Sequence, residues 1–431
     1  MNSREKLIAI FEAAIDAVKP DQALLSHLEI HANKLFAGNK EYPLDKGRIF
    51  VVAAGKGAAP MAKALEDILG NRIQDGAVVV KYGHGLPLSN MEVIEASHPV
   101  PDSEGEKGAK RLLELAAEAG PDDLLICLLT GGASSLLPSP GHGLALTDLQ
   151  AVTERLLASG ATIAELNVIR KHLSQIAGGQ LAKAAGGAKV LSVIVSDVIG
   201  DSLDVIASGP TAPDSSTWQD CAAIVDKYNL TDVLPARVTR LIEDGAKGNV
   251  PETPKPGELG NVTNIIVANN NQAIEAAAAK AKDLGYKIFQ ETAPMQGEAR
   301  ITARELIERA KNLAAVPGNL PFCMLAGGET TVTLKGHGLG GRNQEMALAA
   351  SLELEHIDNI HALFAGTDGT DGPTDAAGGF ADAKALAAMG TKAKQWLEDN
   401  DSYHALEEAE SLYKTGPTRT NVMDLAIILA D

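Results

Sequence analysis

Two textures alternate along most of the chain. Short continuous apolar runs end in glycine-rich or polar turns, and each turn opens a segment whose apolar residues recur every three to four positions. A short apolar run bounded by turn signals reads as a strand buried on both faces, and the longer interval reads as an amphipathic helix. "GRIFVVAAGKGAAPMAKALEDIL" is strand, turn and helix. "GAVVVKYGHG" is a strand ending at Lys81 and His84, and "DDLLICLLTGGASSLL" one ending in Gly131-Gly132. "KVLSVIVSDVIGD" ends in Ser196 and Asp197. "NVTNIIVANNNQAIEAAAAKAKDLG" is strand, three asparagines and helix. "PFCMLAGGETTVTL" ends in Gly327-Gly328, and "NIHALFAGTDGTDGPTDAAGG" in a loop with three aspartates. "NVMDLAIILA" is the last strand, and residues 3 to 36 read as helices.

This alternation predicts an α/β protein with largely parallel sheets covered on both faces. Ligands of such sheets bind beyond the carboxyl ends of the strands. The polar and glycine-rich residues stand just after the apolar runs, which places the candidate chemistry on that rim. Residues 243 to 261, "EDGAKGNVPETPKPGELGN", are rich in Pro, Gly and charge and lack periodicity, so the expected domains are 1–245 and 260–431.

Composition narrows the partners. The 431 residues are 45% hydrophobic but only 3% aromatic, which suits aliphatic α/β layers, and the length implies two or three domains. A formal net charge of -18 argues against nucleic acid. Any anionic substrate must be held by local cations. Three cysteines in apolar or helical surroundings show no metal spacing or disulfide framework and fit a reducing cytoplasm. The N-terminus lacks the apolar core of a signal peptide, and no stretch reaches the ~20 apolar residues of a membrane span.

The candidate site residues follow from position. Lys56, between Gly55 and Gly57 at a strand-to-helix turn, departs from G-x-x-x-x-G-K-[ST] because Gly57 stands where that motif needs a hydroxyl. The glycines would let backbone N–H groups approach an anion. Gly131, Gly132, Ser134 and Ser135 form a second turn suited to phosphate or carboxylate. Asn167, Arg170 and Lys171 share a helix face that is either solvated or anion-binding. Asp197 stands at a strand end, where metal-binding or base carboxylates often do. Gly327, Gly328 and Glu329 precede a loop with four further glycines, then Arg342 and Asn343 at a helix start, where a guanidinium could fork onto phosphate oxygens. Asp368, Asp371 and Asp375 could bind Mg²⁺ near phosphate or merely cap turns. His84, His98 and His142 form no ligand-like pair and read as structural. A full dinucleotide fingerprint, a nucleophile elbow and a zinc motif are all missing.

Taken together, "AAGKGA", "VVVKYGHG", "SHPVPD", "TGGASSL", "LNVIRKHLSQIAGG", "VSDVIGDSLDVIASGPTAPD", "GGETTVTLKGHGLGGRNQE" and "GTDGTDGPTDAAGG" closely resemble the glycerate 2-kinase family with a C-terminal MOFRL domain, some members of which carried a hydroxypyruvate reductase label. The resemblance runs from about residue 5 to the end, with no departure at the motif positions. It implies ATP-dependent phosphorylation of the 2-hydroxyl of D-glycerate with Mg²⁺, in a cleft between a Rossmann-like N-terminal domain and a C-terminal domain whose MOFRL region spans about 320–425. It implies that Lys56 and Arg342 are key active-site residues. Beside it, Asp197 is the candidate base, Asp368 and Asp371 the candidate Mg²⁺ ligands, and Ser134, Asn167 and Arg170 candidate anion-binding groups. An NAD(P)H-dependent hydroxypyruvate reductase and a non-catalytic hydroxy-acid binding protein are the alternatives. A homodimer is an open oligomeric state.

Overall fold

The computed structural model describes all 431 residues, which divide into two compact units: 20–267, and 1–19 with 268–431.

Unit 20–267 is built on a six-stranded sheet. Its strands lie in the order Glu92–Ala96, Ile73–Lys81, Ile49–Ala54, Leu124–Leu129, Lys189–Val195 and Val262–Ala268. The first five pair in parallel. Every residue of Ile49–Ala54 and of Leu124–Leu129 is buried, as expected where helices cover both faces. The chain runs from the central strand Ile49–Ala54 to one edge, then returns to its other side at Leu124–Leu129. This is the doubly wound order, and the reversal between those two strands is the switch point where ligands of such sheets lie. Ala54 pairs with Leu129, so the turns after both strands emerge side by side. A helical layer follows, with Val152, Leu156, Ile169, Leu173, Trp218 and Val238 in its core.

Unit 1–19/268–431 carries a second six-stranded sheet, in the order Lys287–Gln290, Phe322–Gly328, Asp424–Ala430, Ile360–Gly366, Gly378–Ala381 and Leu412–Tyr413. The reading of largely parallel sheets fails here. Only Lys287–Gln290 and Phe322–Gly328 pair in parallel, and the last strand inserts antiparallel between two strands that run the same way. Continuous apolar runs report burial on both faces and say nothing of direction. The insertion has a functional consequence. Asp424, the first residue of that strand, lies in register with Gly328 and Gly366, the last residues of its neighbours.

Two more expectations need correction. Residues 28–36 are not helical. Leu28–His31, Lys34–Ala37 and Lys40–Pro43 form a small antiparallel sheet, whose turns use positive φ at Ala32 and Gly38. The segment is too short and too polar for a helical stripe to show. The first helix, Ser3–Ala17, opened by a reciprocal Asn2–Glu5 capping box, packs with 268–431. The divide between the units falls after residue 267, beyond the Pro- and Gly-rich stretch. Composition marks where a chain is loose, not which core an amphipathic helix joins.

Candidate functional site

At the switch point of the first sheet, the Gly55–Gly57 turn is tied into the fold. The amide of Gly55 donates to the Val79 carbonyl (3.1 Å), that of Lys56 to the Gly131 carbonyl (2.9 Å), and that of Gly57 to Thr130 Oγ1 (3.0 Å). Gly55 is required because its φ is +125° and a Cβ there would stand 2.4 Å from the Thr130 carbonyl oxygen. These amides are therefore not a phosphate cradle, contrary to the expectation for Gly55 and Gly57. Their work is to hold Lys56.

The neighbouring turn differs. The amides of Gly131, Gly132 and Ser134 donate to no protein group, while those of Ser135 and Leu136 close on the Gly132 carbonyl. Gly132 has φ +88°, and a Cβ on it would lie 3.4 Å from Lys56 Cγ and 3.1 Å from His98 Nε2. One Lys side chain, one imidazole and three available amides thus share a few ångströms. His84 is also close, with Nδ1 3.4 Å from the Lys56 carbonyl oxygen. Both histidines read as structural in the sequence, where their loops lie 28 and 42 positions from Lys56; only the parallel sheet brings those loops together.

The rim continues through the next strand and the helical layer. Asp197 follows the buried end of Lys189–Val195 and is half-buried. Ser134 Oγ lies 2.8 Å from Ser208 Oγ. Ala207 and Ser208 both hold positive φ, a conformation that costs about 1–3 kcal/mol in non-glycine residues and clusters at ligand sites. On the helix Ile163–Leu173, the expected shared face splits by role. Lys171 is buried and paired with Asp214 (2.8 Å) and Asp204 (3.2 Å). Asn167 is buried and Arg170 half-buried, and neither side chain bonds to the protein. Burial lowers the Arg170 pKa, with no carboxylate to offset it.

In the second unit, Arg342 opens the helix Arg342–Glu353. Its guanidinium meets both oxygens of Asp424, Nε to Oδ2 at 2.5 Å and Nη2 to Oδ1 at 3.0 Å, and Nη1 reaches Glu329 Oε1 at 2.6 Å. Asp424 is 1% exposed. Burial works against the Arg342 charge but is outweighed by Asp424 and then Glu329, so its pKa is raised. Asp424 escaped the sequence reading because it precedes an apolar run rather than following one. Asn270 fixes it from behind, donating to the carbonyls of Val422 (2.7 Å) and Asp424 (3.1 Å). Asp368 lies nearby: a Cβ on Gly366 would be 3.3 Å from Asp424 Oδ1 and 3.5 Å from Asp368 Oδ1.

Several of the expected binding residues have structural work instead. A Cβ on Gly327 would overlap Asn270 Oδ1, and one on Gly328 would strike the Met295 backbone. The amides of Lys335, Gly336, His337, Gly338 and Leu339 all donate to residues 399–401. Asn343 is buried with its Nδ2 on Asp371. Asp371, 2% exposed, accepts from the amides of Asn343 (3.1 Å) and Gln344 (2.8 Å) and from both their side chains. It caps the helix that carries Arg342. Burial raises its pKa to about 6, helped by the Asp424 charge. Asp371 therefore does not fit a magnesium site, because four donors already occupy its oxygens. Asp375 is exposed and pairs with Lys414 and Tyr403.

A doubly wound sheet with a lysine and unpaired amides at its switch point is an α/β arrangement suited to a small anionic ligand. Comparison with known proteins sharpens this. The model of a domain of unknown function, DUF4147, matches residues 6–243, and the MOFRL family model matches residues 322–424. A glycerate 2-kinase of Pyrococcus horikoshii is 40% identical, covering 100% of this chain and 98% of that protein. A provisionally named hydroxypyruvate reductase of Agrobacterium vitis is also 40% identical, over 100% of this chain and 95% of its own. The crystal structure of a glycerate kinase from Thermotoga maritima superposes with a TM-score of 0.87 at 42% identity, covering both chains fully. The chain belongs to the glycerate 2-kinase family with a C-terminal MOFRL domain.

Proposed function

We propose that this protein transfers the terminal phosphoryl group of ATP to the 2-hydroxyl of D-glycerate, giving 2-phospho-D-glycerate and ADP. The observation that carries this reading is the set of unpaired amides at Gly131, Gly132 and Ser134 beside Lys56. Phosphoryl transfer needs little covalent chemistry from the protein beyond positioned donors and cations, which these groups supply. Family membership supports this substrate class: the relatives from P. horikoshii and T. maritima are named as glycerate kinases. Lys56 is assigned to the donor phosphates and Arg342 to the charge that develops during transfer. Asp197 is assigned to the substrate hydroxyl as the group that orients it or takes its proton. Asn167 and Arg170 remain assigned to anion binding. No step is assigned to magnesium.

The reductase reading is disfavoured by the Gly55–Gly57 turn. A dinucleotide pyrophosphate would sit on the amides of such a turn, and here they are bonded within the fold. The test is a two-armed assay of purified protein with Mg²⁺ in both arms. One arm holds D-glycerate and ATP, the other hydroxypyruvate with NADH or NADPH. ADP and 2-phosphoglycerate in the first arm alone are expected, with Lys56→Ala and Arg342→Ala each at least about a hundredfold slower. Cofactor oxidation in the second arm alone overturns the proposal. Near-normal turnover by Asp197→Asn removes that residue as base.

A further inference from the structure

We propose that the cavity of about 650 Å³ beside the Gly131–Ser135 turn holds the base and ribose of the donor nucleotide, with Arg170 and Ser134 receiving its phosphates. The inference rests on the kinase reading and deepens it. It starts from a mismatch between the cavity and the acceptor. D-glycerate has three carbons, a carboxylate and two hydroxyls, and no apolar surface to bury. The cavity is lined mainly by apolar groups: the Pro99-Val100-Pro101 segment after one strand, and Leu149, Val152 and Leu157 of the helix Leu146–Ala158. Gln150 Nε2 donates to the Pro101 carbonyl (3.0 Å) and fastens the helix to that segment. Val100 is 65% and Leu157 61% exposed, among the few large apolar side chains left open to water. An apolar rim of this kind marks a surface that a ligand covers.

The polar groups in the lining complete the identification. Arg170 has no protein partner, and its half-buried position disfavours an uncompensated charge, so it calls for an anion. Ser134 belongs both to this cavity and to the turn whose Gly132 packs against Lys56. An anionic chain that leaves the cavity over Ser134 therefore runs toward Lys56. The volume falls within the usual range of about 300–1,000 Å³ for small-molecule sites. A flat apolar body with a chain of anionic groups is a nucleoside triphosphate, and the reaction already requires one.

The experiment is photolabelling of the full-length protein with 8-azido-ATP, followed by peptide mapping, with ATP or D-glycerate as protectant. Labelling of peptides containing residues 99–101 or 146–158, blocked by ATP and not by D-glycerate alone, is expected. ATP-blocked label confined to other peptides, in a preparation that phosphorylates D-glycerate, overturns this proposal and leaves the kinase reading standing. Absence of both ATP-blocked label and ATP turnover overturns the two together. Blocking by D-glycerate alone makes the cavity an acceptor site and also overturns the proposal. A variant gives an independent readout. Leu157→Glu changes an exposed side chain, so folding is retained. It is expected to raise the KM for ATP about fivefold or more, with the KM for D-glycerate within about twofold. An unchanged KM for ATP in this variant counts against the proposal.

Discussion

Arg342 is placed by residues that precede and follow it by long stretches of chain. Asp424 grips it through two nitrogens, and Asp371 caps the helix it opens. Asp424→Asn removes the charge while keeping the volume. We expect kcat to fall at least about tenfold and stability by roughly 1–3 kcal/mol, because the half-buried guanidinium loses its charged, buried partner. Steady-state kinetics and urea unfolding on the same preparation check both. Asp371 makes a separate prediction about pH. Its folded pKa of about 6 lies above that of an unfolded aspartate, about 3.9. The folded state thus holds a proton that the unfolded chain has released. Its contribution to stability is complete below about pH 4 and is lost as pH rises through 6. Unfolding curves from pH 4 to pH 7 should show Asp371→Asn gaining on the wild type by roughly 2–3 kcal/mol. A constant difference between the two proteins would refute this.

Among the elements, glycine-rich turns of similar appearance do different work. In the Gly55–Gly57 turn and in residues 335–339, the amides are consumed by the fold, whereas the Gly131–Ser135 turn leaves three open. The glycines at 336, 338 and 340 exist for close packing on residues 399–402. A Cβ on Gly338 would come within 2.5 Å of Asp401 Cα. Gly338→Ala should therefore cost about 1–3 kcal/mol through forced backbone displacement. Thermal unfolding measures it, and an unchanged midpoint would show that the loop does not press on residue 401. From sequence these turns were indistinguishable, since glycine density reports closeness without naming what comes close.

For the whole molecule, the placement of the first helix decides which core depends on it. Ser3–Ala17 buries Leu7, Ile10, Phe11, Ala14 and Ile15. Phe11 meets Tyr413 edge-on at 5.5 Å, Lys6 reaches Tyr286, and Arg4 reaches Asp382. Phe11→Ala should destabilise unit 1–19/268–431 by about 3–5 kcal/mol. Hydrogen exchange locates the effect. Protection should fall in the helix Asn270–Asp283 and the strand Asp424–Ala430, and hold in Ile49–Ala54 and Leu124–Leu129. Equal losses in both units would contradict the assignment. No helix is long and apolar enough to cross a membrane.

Local pattern alone specifies the long apolar strands, the α/β class, the turns after those strands and, through the combined motifs, the family; the buried strand Gly378–Ala381, short and glycine-rich, reads as loop. Those features are written in short windows, where apolar periodicity, glycine and charge report local conformation and burial. Tertiary structure alone decided the direction of the last strand, and with it the presence of Asp424 at the rim. It placed His98 beside Lys56, separated Arg170 from the paired Lys171, and made Asp371 a helix cap rather than an open carboxylate. In each case the physical reason is the same. Whether a polar group is available to a ligand depends on which distant donors and acceptors the sheet register brings to it, and no local pattern carries that information.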